Sequence, residues 1–166
     1  GKLKPEWTGQ LLAGTLNYRP RPWLAHRMPA FPVRATELAH GLAMSHGLPP
    51  ISPKENPVNS ESAKIGRKLL GVDGGFSCVA CHGVKNRDPL QVFEAQGVNF
   101  VRVGARIQPD YYLRWMIDPL RVDPQTRMPD YFDEDARSVL VDILEGDAKK
   151  QIEAIRQYLL QGNKMK

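Results

Sequence analysis

The most constraining feature of this 166-residue chain is the placement of its cysteines. There are two, and both lie in one five-residue stretch, Cys78-Val79-Ala80-Cys81-His82. A fold stapled by disulfides needs cysteines spread along the chain, and a structural zinc site with four cysteine ligands needs more of them. The chain must therefore fold without disulfide support, and the two thiols are placed to act together.

The stretch follows the pattern C-x-x-C-H, the attachment signature of c-type haem. Two thiols on one turn can each add to a vinyl group of the porphyrin, and His82 then lies under the iron as its proximal ligand. A redox-active C-x-x-C, part of a zinc site and a disulfide are the alternatives. A thioredoxin-like site follows a strand, whereas Gly74-Gly75-Phe76-Ser77 precede this pair. We expect one haem c, covalently bound through Cys78 and Cys81.

A second axial ligand is expected from a methionine, the common sixth ligand in electron-transfer cytochromes. Met128 lies between Pro124 and Pro129, so it is on a loop, where a methionine suits ligation better than core filling. Met116 fits a helix-packed core position instead. Met128 is therefore the predicted sixth ligand. Met28, and an iron that is open or bound by water, are the alternatives.

Apolar periodicity predicts an all-α fold, because strand signals are weak throughout. A short helix is expected over 60–70, with Ser60 as N-cap and Gly71 as C-terminal stop. Further helices are predicted over 110–117, 133–144 and 147–161. The acidic run 133–135 would lie favourably at the N-terminus of the second of these. Residues 83–103 are expected to be loop-rich, with a turn at Asp88-Pro89.

Prolines divide the chain into two parts. Residues 48–57 contain four prolines, a composition typical of a semi-rigid linker. The predicted organisation is an N-terminal piece over 1–47, the linker over 48–57, and a haem-bearing piece over 58–166.

The N-terminal piece repeats part of the haem-bearing piece. Residues 2–7 match 106–111, and residues 27–31 match 127–131, with basic, apolar and aromatic residues in the same order. The first copy has no C-x-x-C-H of its own, so the chain is expected to begin partway through a repeat unit. Chance similarity between Met-Pro loops is the alternative.

Residues 58–166 resemble a class I cytochrome c domain, of the kind found in large multidomain bacterial proteins such as those of planctomycetes. The resemblance rests on Ile65-Gly66-Arg67-Lys68-Leu69-Leu70, the C-x-x-C-H motif, Pro109-Asp110-Tyr111-Tyr112-Leu113-Arg114-Trp115, Arg127-Met128-Pro129 and Tyr158-Leu159. It implies a cytochrome c fold, with several short helices around the haem, in which the first and last helices cross near Gly66 and Tyr158. Residues 1–47 resemble the back half of a similar domain, a partial helical extension with Met28 in the ligand position.

The resemblance also implies roles for single residues. Pro89 would accept a hydrogen bond from the proximal histidine. Four further residues would lie in the segment beneath the haem propionates: Arg102, Arg106, Tyr112 and Trp115. Buried carboxylates need such cationic or hydrogen-bonding partners. The alternative is that Arg102 and Arg106 are solvated surface charges. Arg127, beside Met128, is expected at the haem or at a surface that contacts a redox partner.

These features predict an electron carrier rather than an enzyme, with a His82/Met128 haem that cycles between ferrous and ferric states. No Ser-His-Asp order, phosphate-binding loop or paired acid motif is evident in the sequence. The alternative is a haem enzyme or a gas-binding domain with an open or displaceable sixth position.

Charge and composition limit which partners and which cellular location are expected for the protein. The net charge of +5 is modest and unclustered, which argues against nucleic acid and suits a redox partner with an acidic docking surface. No stretch approaches the ~20 apolar residues of a membrane span. The repeat favours a module or subunit of a larger multihaem system. The resemblance implies an extracytoplasmic, for instance periplasmic, location, with a signal segment removed or far upstream in a precursor.

Overall fold

The computed structural model describes residues 1–21, 24–25, 28–91 and 96–166. Seven α-helices lie in these ranges: α1 Pro5–Ala13, α2 Ala35–Ser45, α3 Ser60–Leu70, α4 Val103–Arg106, α5 Pro109–Ile117, α6 Pro119–Val122 and α7 Ala148–Leu159. Over the same ranges there are five 3₁₀ helices, at Pro32–Arg34, Cys78–Ala80, Phe100–Arg102, Leu144–Gly146 and Gly162–Lys164. The described residues form isolated β-bridges but no strand, so the all-α class is confirmed, while a cytochrome c fold stays a prediction. None of the described helices is both long and apolar enough to cross a membrane.

The chain divides into two compact units, the first formed by residues 1–56 and 105–108, the second by 57–104 and 109–166. The predicted linker has no regular secondary structure. Residues 105–108 belong to the first unit, although the sequence predicted them in the haem-bearing piece. The physical reason is backbone pairing. The N–H of Lys4 donates to the C=O of Arg106 at 2.9 Å.

The first unit is built on α1 and α2. Pro5 opens α1, where a missing N–H costs nothing, and Gly14 ends it in the left-handed conformation at φ 72°. Trp7 on α1 is 4% exposed, and its indole N–H donates to the Tyr18 hydroxyl at 2.7 Å. The buried face of α2 consists of small side chains that permit close packing: Ala35, Ala39 and Ala43.

The second unit is organised by the crossing of α3 and α7, its most extensive contact between helices. Gly66 permits this crossing, because a Cβ at that position would overlap the backbone carbonyl of Ala154. Tyr158, expected near the crossing, is buried, and its hydroxyl donates to the C=O of Lys166 at 3.0 Å. The buried side chains of the two helices are mostly apolar: Ala63, Leu69, Leu70, Ala148, Ile152, Ala154, Ile155 and Leu159.

Three of the four predicted helices are confirmed. α3 and α7 match the expected ranges within two residues at each end, and α5 begins one residue early, at Pro109. The N-cap of α3 is Asn59 rather than Ser60, because the Asn59 side chain accepts the backbone N–H of Ser62 at 2.9 Å. Asp147 caps α7 in the same way.

The predicted helix over 133–144 is wrong. The chain forms tight turns there, with Ala136 in the left-handed region at φ 56°. Asp133, expected at a helix N-terminus, instead accepts the backbone N–H groups of Asp135 and Arg137 at 3.1 and 2.8 Å. Local bonds of this kind offer the backbone an alternative to the helical hydrogen-bond pattern, and here the alternative wins.

Gly66→Ala is expected to lower the free energy of unfolding of the second unit by more than about 3 kcal/mol, because the added methyl has no room against the α7 backbone. Gly41→Ala, within α2, is the matched control, since an added methyl there meets nothing within 4 Å. The control should gain about 0.5–1 kcal/mol through helix propensity. Denaturant titration followed by circular dichroism measures both, and equal stabilities of the two variants would contradict the crossing.

Candidate functional site

The two cysteines lie on one turn of the second unit, in the 3₁₀ helix Cys78–Ala80 and immediately after it. The C=O of Cys78 accepts the N–H groups of Cys81 and His82 at 3.2 and 3.0 Å, so this turn holds the motif together. Both cysteines are free thiols. Cys78 is 8% exposed and Cys81 is half-buried.

The environment of Cys78 keeps its thiol protonated. Burial, with a further contribution from the neighbouring Cys81 thiol, raises the pKa of Cys78 to about 12. The reactive group of a redox C-x-x-C site is a thiolate with a lowered pKa. The surroundings of the pair therefore argue against the thioredoxin-like alternative.

His82 is held by a backbone carbonyl on the far side of a loop. Its Nδ1 lies 2.8 Å from the C=O of Val98, sixteen residues away, and because a carbonyl can only accept, Nδ1 carries the proton. The lone pair of the neutral ring then belongs to Nε2. The imidazole stacks on Phe100, with ring centroids 4.7 Å apart. Burial lowers the pKa of His82, against the opposing effect of the Val98 hydrogen bond, so the ring is neutral at pH 7.

The acceptor is Val98, not Pro89 as the resemblance implied. Gly97 forms a β-bridge with His82, and its N–H donates to the C=O of Cys81 at 2.9 Å, which brings the Val98 carbonyl to the imidazole. Pro89 is half-buried. The predicted turn at 88–89 lies earlier instead, at 85–86, closed by two backbone hydrogen bonds between the residues on either side.

Aromatic side chains from two other segments surround the cysteines. The ring of Phe76 packs on Tyr131 and Phe132, with centroid distances of 4.8 and 5.5 Å. Burial, followed by the nearby thiols of both cysteines, raises the pKa of Tyr131 to about 12. Tyr112 of α5 is buried, and its pKa is raised by that burial and then by the thiol of Cys78. The loop after Met128 and the helix α5 therefore both reach the motif.

Met128 lies on a loop, as predicted, and is half-buried. Its backbone N–H donates to the Thr126 hydroxyl at 3.3 Å. Its sulfur is contacted by α5, because the indole N–H of Trp115 donates to Met128 Sδ at 2.9 Å. Met116, the predicted core residue, is buried on α5.

The residues expected at the propionates are spread over both units. Tyr112 uses its hydroxyl to donate to the C=O of Ile152 at 3.3 Å. Arg102 is half-buried at the end of a 3₁₀ helix, and Arg127 is exposed beside Met128. The propionate roles of Arg102 and Tyr112 stay predictions, as does the expected place of Arg127 at the haem or at a surface that contacts a redox partner. The predicted propionate role of Trp115 competes with its contact to Met128, because an indole has a single N–H.

Arg106 belongs to the first unit, whereas the cysteine motif belongs to the second. Its guanidinium carbon lies 4.8 Å from the centre of the Trp7 ring, and its buried Nε has no hydrogen-bond partner among the residues that the structure describes. Burial lowers the pKa of Arg106, an effect that Tyr18 opposes and Arg21 reinforces. Its expected role at a propionate likewise stays a prediction.

The first copy of the repeat exposes its methionine. Met28 and Phe31 are 47% and 49% exposed, while Arg27 of the same match lies outside the described residues. In the other match, Leu3 and Ile107 stand at corresponding positions and form an antiparallel β-bridge inside the first unit. The repeat itself stays a prediction.

The donor set of the second unit fits a covalently attached haem. Two neighbouring thiols are free, and the hydrogen bond of His82 engages Nδ1, which leaves Nε2 as the donor atom for a metal. Over the described ranges, no group of three or more His, Cys, Asp and Glu residues could hold a metal ion. A haem iron takes only axial ligands from the protein, so this kind of site needs no such group.

Sequence reasoning missed several residues of the site. Val98 acts through its backbone carbonyl, so its side chain gives no signal. Gly97 is required because a Cβ there would overlap the imidazole of His82, a contact that only the fold reveals. Phe76 and Tyr131 did carry a signal, as aromatic residues two positions before the motif and three positions after the predicted methionine ligand.

Gly97→Ala is expected to push the His82 imidazole away from the Val98 carbonyl, because the added methyl overlaps the ring. In protein matured with haem, the variant should keep covalently attached haem but lose most of its low-spin ferric absorption, since the proximal ligand is displaced. Gly41→Ala, with open space around the added methyl, should keep the native spectrum. A native spectrum in Gly97→Ala would show that His82 needs no such positioning.

Comparison with protein-family models, curated proteins and solved structures finds no match to this chain. Its function must therefore be argued from its own residues. The strongest of these features is a pair of free thiols, next to a histidine whose tautomer is fixed by a backbone carbonyl.

Proposed function

We propose that this chain is an electron-transfer module that holds one haem c through thioether bonds to Cys78 and Cys81, with His82 and Met128 as axial ligands. The observation that carries the proposal is the 2.8 Å hydrogen bond between His82 Nδ1 and the Val98 carbonyl, beside two free thiols. When bound, a haem supplies an iron ion that exchanges one electron between ferrous and ferric states. The chain acts as a carrier rather than an enzyme.

The surroundings of His82 prepare it for ligation. Donation from Nδ1 to a carbonyl fixes the ring orientation and tautomer and makes Nε2 a stronger donor. The lowered pKa of His82 keeps the ring neutral, as a metal ligand must be. Stacking on Phe100 restrains the plane of the imidazole.

Aromatic side chains cover part of the motif. Phe76 and Tyr112 are buried, and Tyr131 packs on Phe76 at 4.8 Å. A dry, apolar environment lowers the local dielectric constant and so sets the reduction potential of a metal site. A thioether ligand such as Met128 raises that potential further, because it favours the ferrous state.

Basic side chains favour a redox partner with an acidic docking surface. A surface cavity of about 560 Å³ in the second unit has four cationic side chains in its lining: Lys64, Arg67, Lys164 and Lys166. Together with the net charge of +5, they attract negatively charged partners over roughly a Debye length. The proposal includes no nucleic acid as a partner, because the net charge of +5 is modest and is not clustered in the sequence.

The predicted internal repeat suggests that this module works within a larger, multihaem redox system, and that other domains or subunits of that system are its partners. The resemblance to class I cytochromes c implies that such a system lies outside the cytoplasmic membrane, where covalent haem attachment is completed. The extracytoplasmic location is therefore part of the same proposal.

Met128→Leu tests the axial ligand. Native holoprotein should carry the mass of one covalently attached haem and show a ferric absorption band at about 695 nm. The variant should keep the attached haem but lose this band, with a reduction potential lowered because the thioether ligand is gone. Met116→Leu removes a buried methionine of α5 that is no ligand, so its band and potential should stay native.

Two outcomes would overturn this assignment. An intact mass without haem, after maturation in a host that attaches c-type haem, would rule out the covalent cofactor. A high-spin ferric spectrum in the native protein would favour an open sixth position, and with it a haem enzyme or gas-binding domain.

Electron-exchange rates test the basic surface. Oxidation of the ferrous protein by anionic ferricyanide should slow as salt is added, and oxidation by cationic tris(phenanthroline)cobalt(III) should accelerate. Lys64→Glu and Lys164→Glu should each slow the ferricyanide reaction roughly 2- to 5-fold at low ionic strength. Lys149→Glu changes the charge equally, but at a position outside the cavity lining, and should have a smaller effect. Equal effects of all three variants would show that only net charge matters.

A further inference from the structure

We propose that Trp115 is a positioning residue for Met128, whose indole N–H holds the thioether sulfur and raises the reduction potential of the site. This inference rests on the proposed function, because it needs Met128 as the sixth ligand. The contact that carries it is the 2.9 Å separation of Trp115 Nε1 from Met128 Sδ, between two partly buried side chains.

The indole N–H is a donor only, so it needs an acceptor when it is withdrawn from water. The thioether of Met128 is a weak acceptor, and its sulfur, 2.9 Å from Nε1, is close enough to accept this N–H. A thioether sulfur has two lone pairs, so it can accept this hydrogen bond and ligate a metal at the same time. The contact is therefore compatible with ligation by Met128.

The helix side of the contact is rigid. Trp115 stands on α5, where its ring stacks on Tyr111 one turn earlier, with centroids 5.9 Å apart and planes at 17°. The same helix is anchored to α7 by the hydroxyl of Tyr112, which donates to the C=O of Ile152 at 3.3 Å. The indole N–H is thus presented from a fixed position.

The loop side is fixed at the backbone on both sides of Met128. Its own N–H donates to the Thr126 hydroxyl at 3.3 Å, and the following Pro129 restricts the backbone of Met128 to extended conformations. Two residues further on, Asp130 accepts the N–H of Phe132 at 3.1 Å. The side chain of methionine still has three rotatable bonds, and the Trp115 hydrogen bond is the contact that restrains its sulfur.

The hydrogen bond has a predictable effect on redox equilibrium. A donor at the ligand sulfur withdraws electron density that the ferric ion needs more than the ferrous ion does. The bond therefore favours the ferrous state, in the same direction as thioether ligation itself. It also keeps the sulfur in place, which disfavours its replacement by external ligands.

Trp115→Phe removes the N–H and retains an aromatic ring that can stack on Tyr111. In the holoprotein, we expect the ferric-to-ferrous ratio at a given potential to rise roughly fivefold to tenfold, and tenfold corresponds to a potential lower by about 59 mV. The affinity of the ferric protein for imidazole should rise several-fold, because the sulfur is displaced more easily.

Trp7→Phe is the matched control. It removes the indole N–H that donates to Tyr18 in the first unit, whereas Met128 belongs to the second, so it makes the same chemical change without touching the contact to Met128. Potential and imidazole affinity should stay native in this variant. A native potential and imidazole affinity in Trp115→Phe as well would overturn the positioning role.

Met128→Leu separates this inference from the function on which it rests. Loss of the ferric band at about 695 nm in Met128→Leu, together with an unchanged potential in Trp115→Phe, would leave Met128 as the ligand and overturn only the role of Trp115. An unchanged spectrum in Met128→Leu would overturn the assignment of the ligand and the inference with it.

An unmutated sample provides a second test if Trp115→Phe does not fold. In the diamagnetic ferrous holoprotein, the Trp115 indole proton should show a nuclear Overhauser effect to the Met128 methyl group, because Nε1 and Sδ are within hydrogen-bond distance. It should also exchange slowly with deuterium. Absence of that Overhauser effect would overturn the proposal.

Discussion

The close approach of α3 to α7 at Gly66 is the contact on which the proposed site depends. α3 ends just before the cysteine motif, and the connecting loop is tied back to it, because the N–H of Phe76 donates to the C=O of Leu69 at 2.7 Å. α5 is tied to α7, since Tyr112 donates to the C=O of Ile152. The cysteine motif and α5, the helix that contacts Met128 through Trp115, are thus both positioned by α7.

Burial around the motif favours uncharged groups. The pKa of Cys78 is raised to about 12 and that of His82 is lowered, in both cases mainly by desolvation. A buried thiolate or imidazolium would cost several kcal/mol without a partner. The proposed ligands, an imidazole and a thioether, are likewise neutral. The charge that changes during electron transfer would then be that of the iron.

Local sequence patterns predicted most of the longer helices of the second unit, whereas contacts between residues distant in the sequence determined features that these patterns did not predict. The helices α3, α5 and α7 follow from apolar spacing with a cap or a proline at the start. The acidic run that begins at Asp133 led to a wrong helix prediction, because the Asp133 side chain accepts nearby backbone N–H groups instead of capping a helix. The acceptor for His82 could not be predicted, since Val98 contributes only its backbone carbonyl. This carbonyl lies sixteen residues after His82 in the sequence and is brought to the imidazole by the β-bridge at Gly97.

The pairing of Leu3 with Ile107 has an evolutionary consequence. Residues 105–108 form part of the first unit while their neighbours on both sides belong to the second. A recombination event that moved residues 57–166 alone into another gene would remove the backbone partners of Arg106 and Gln108, which are Lys4 and Lys2. The two units are therefore expected to be inherited together rather than exchanged as separate modules.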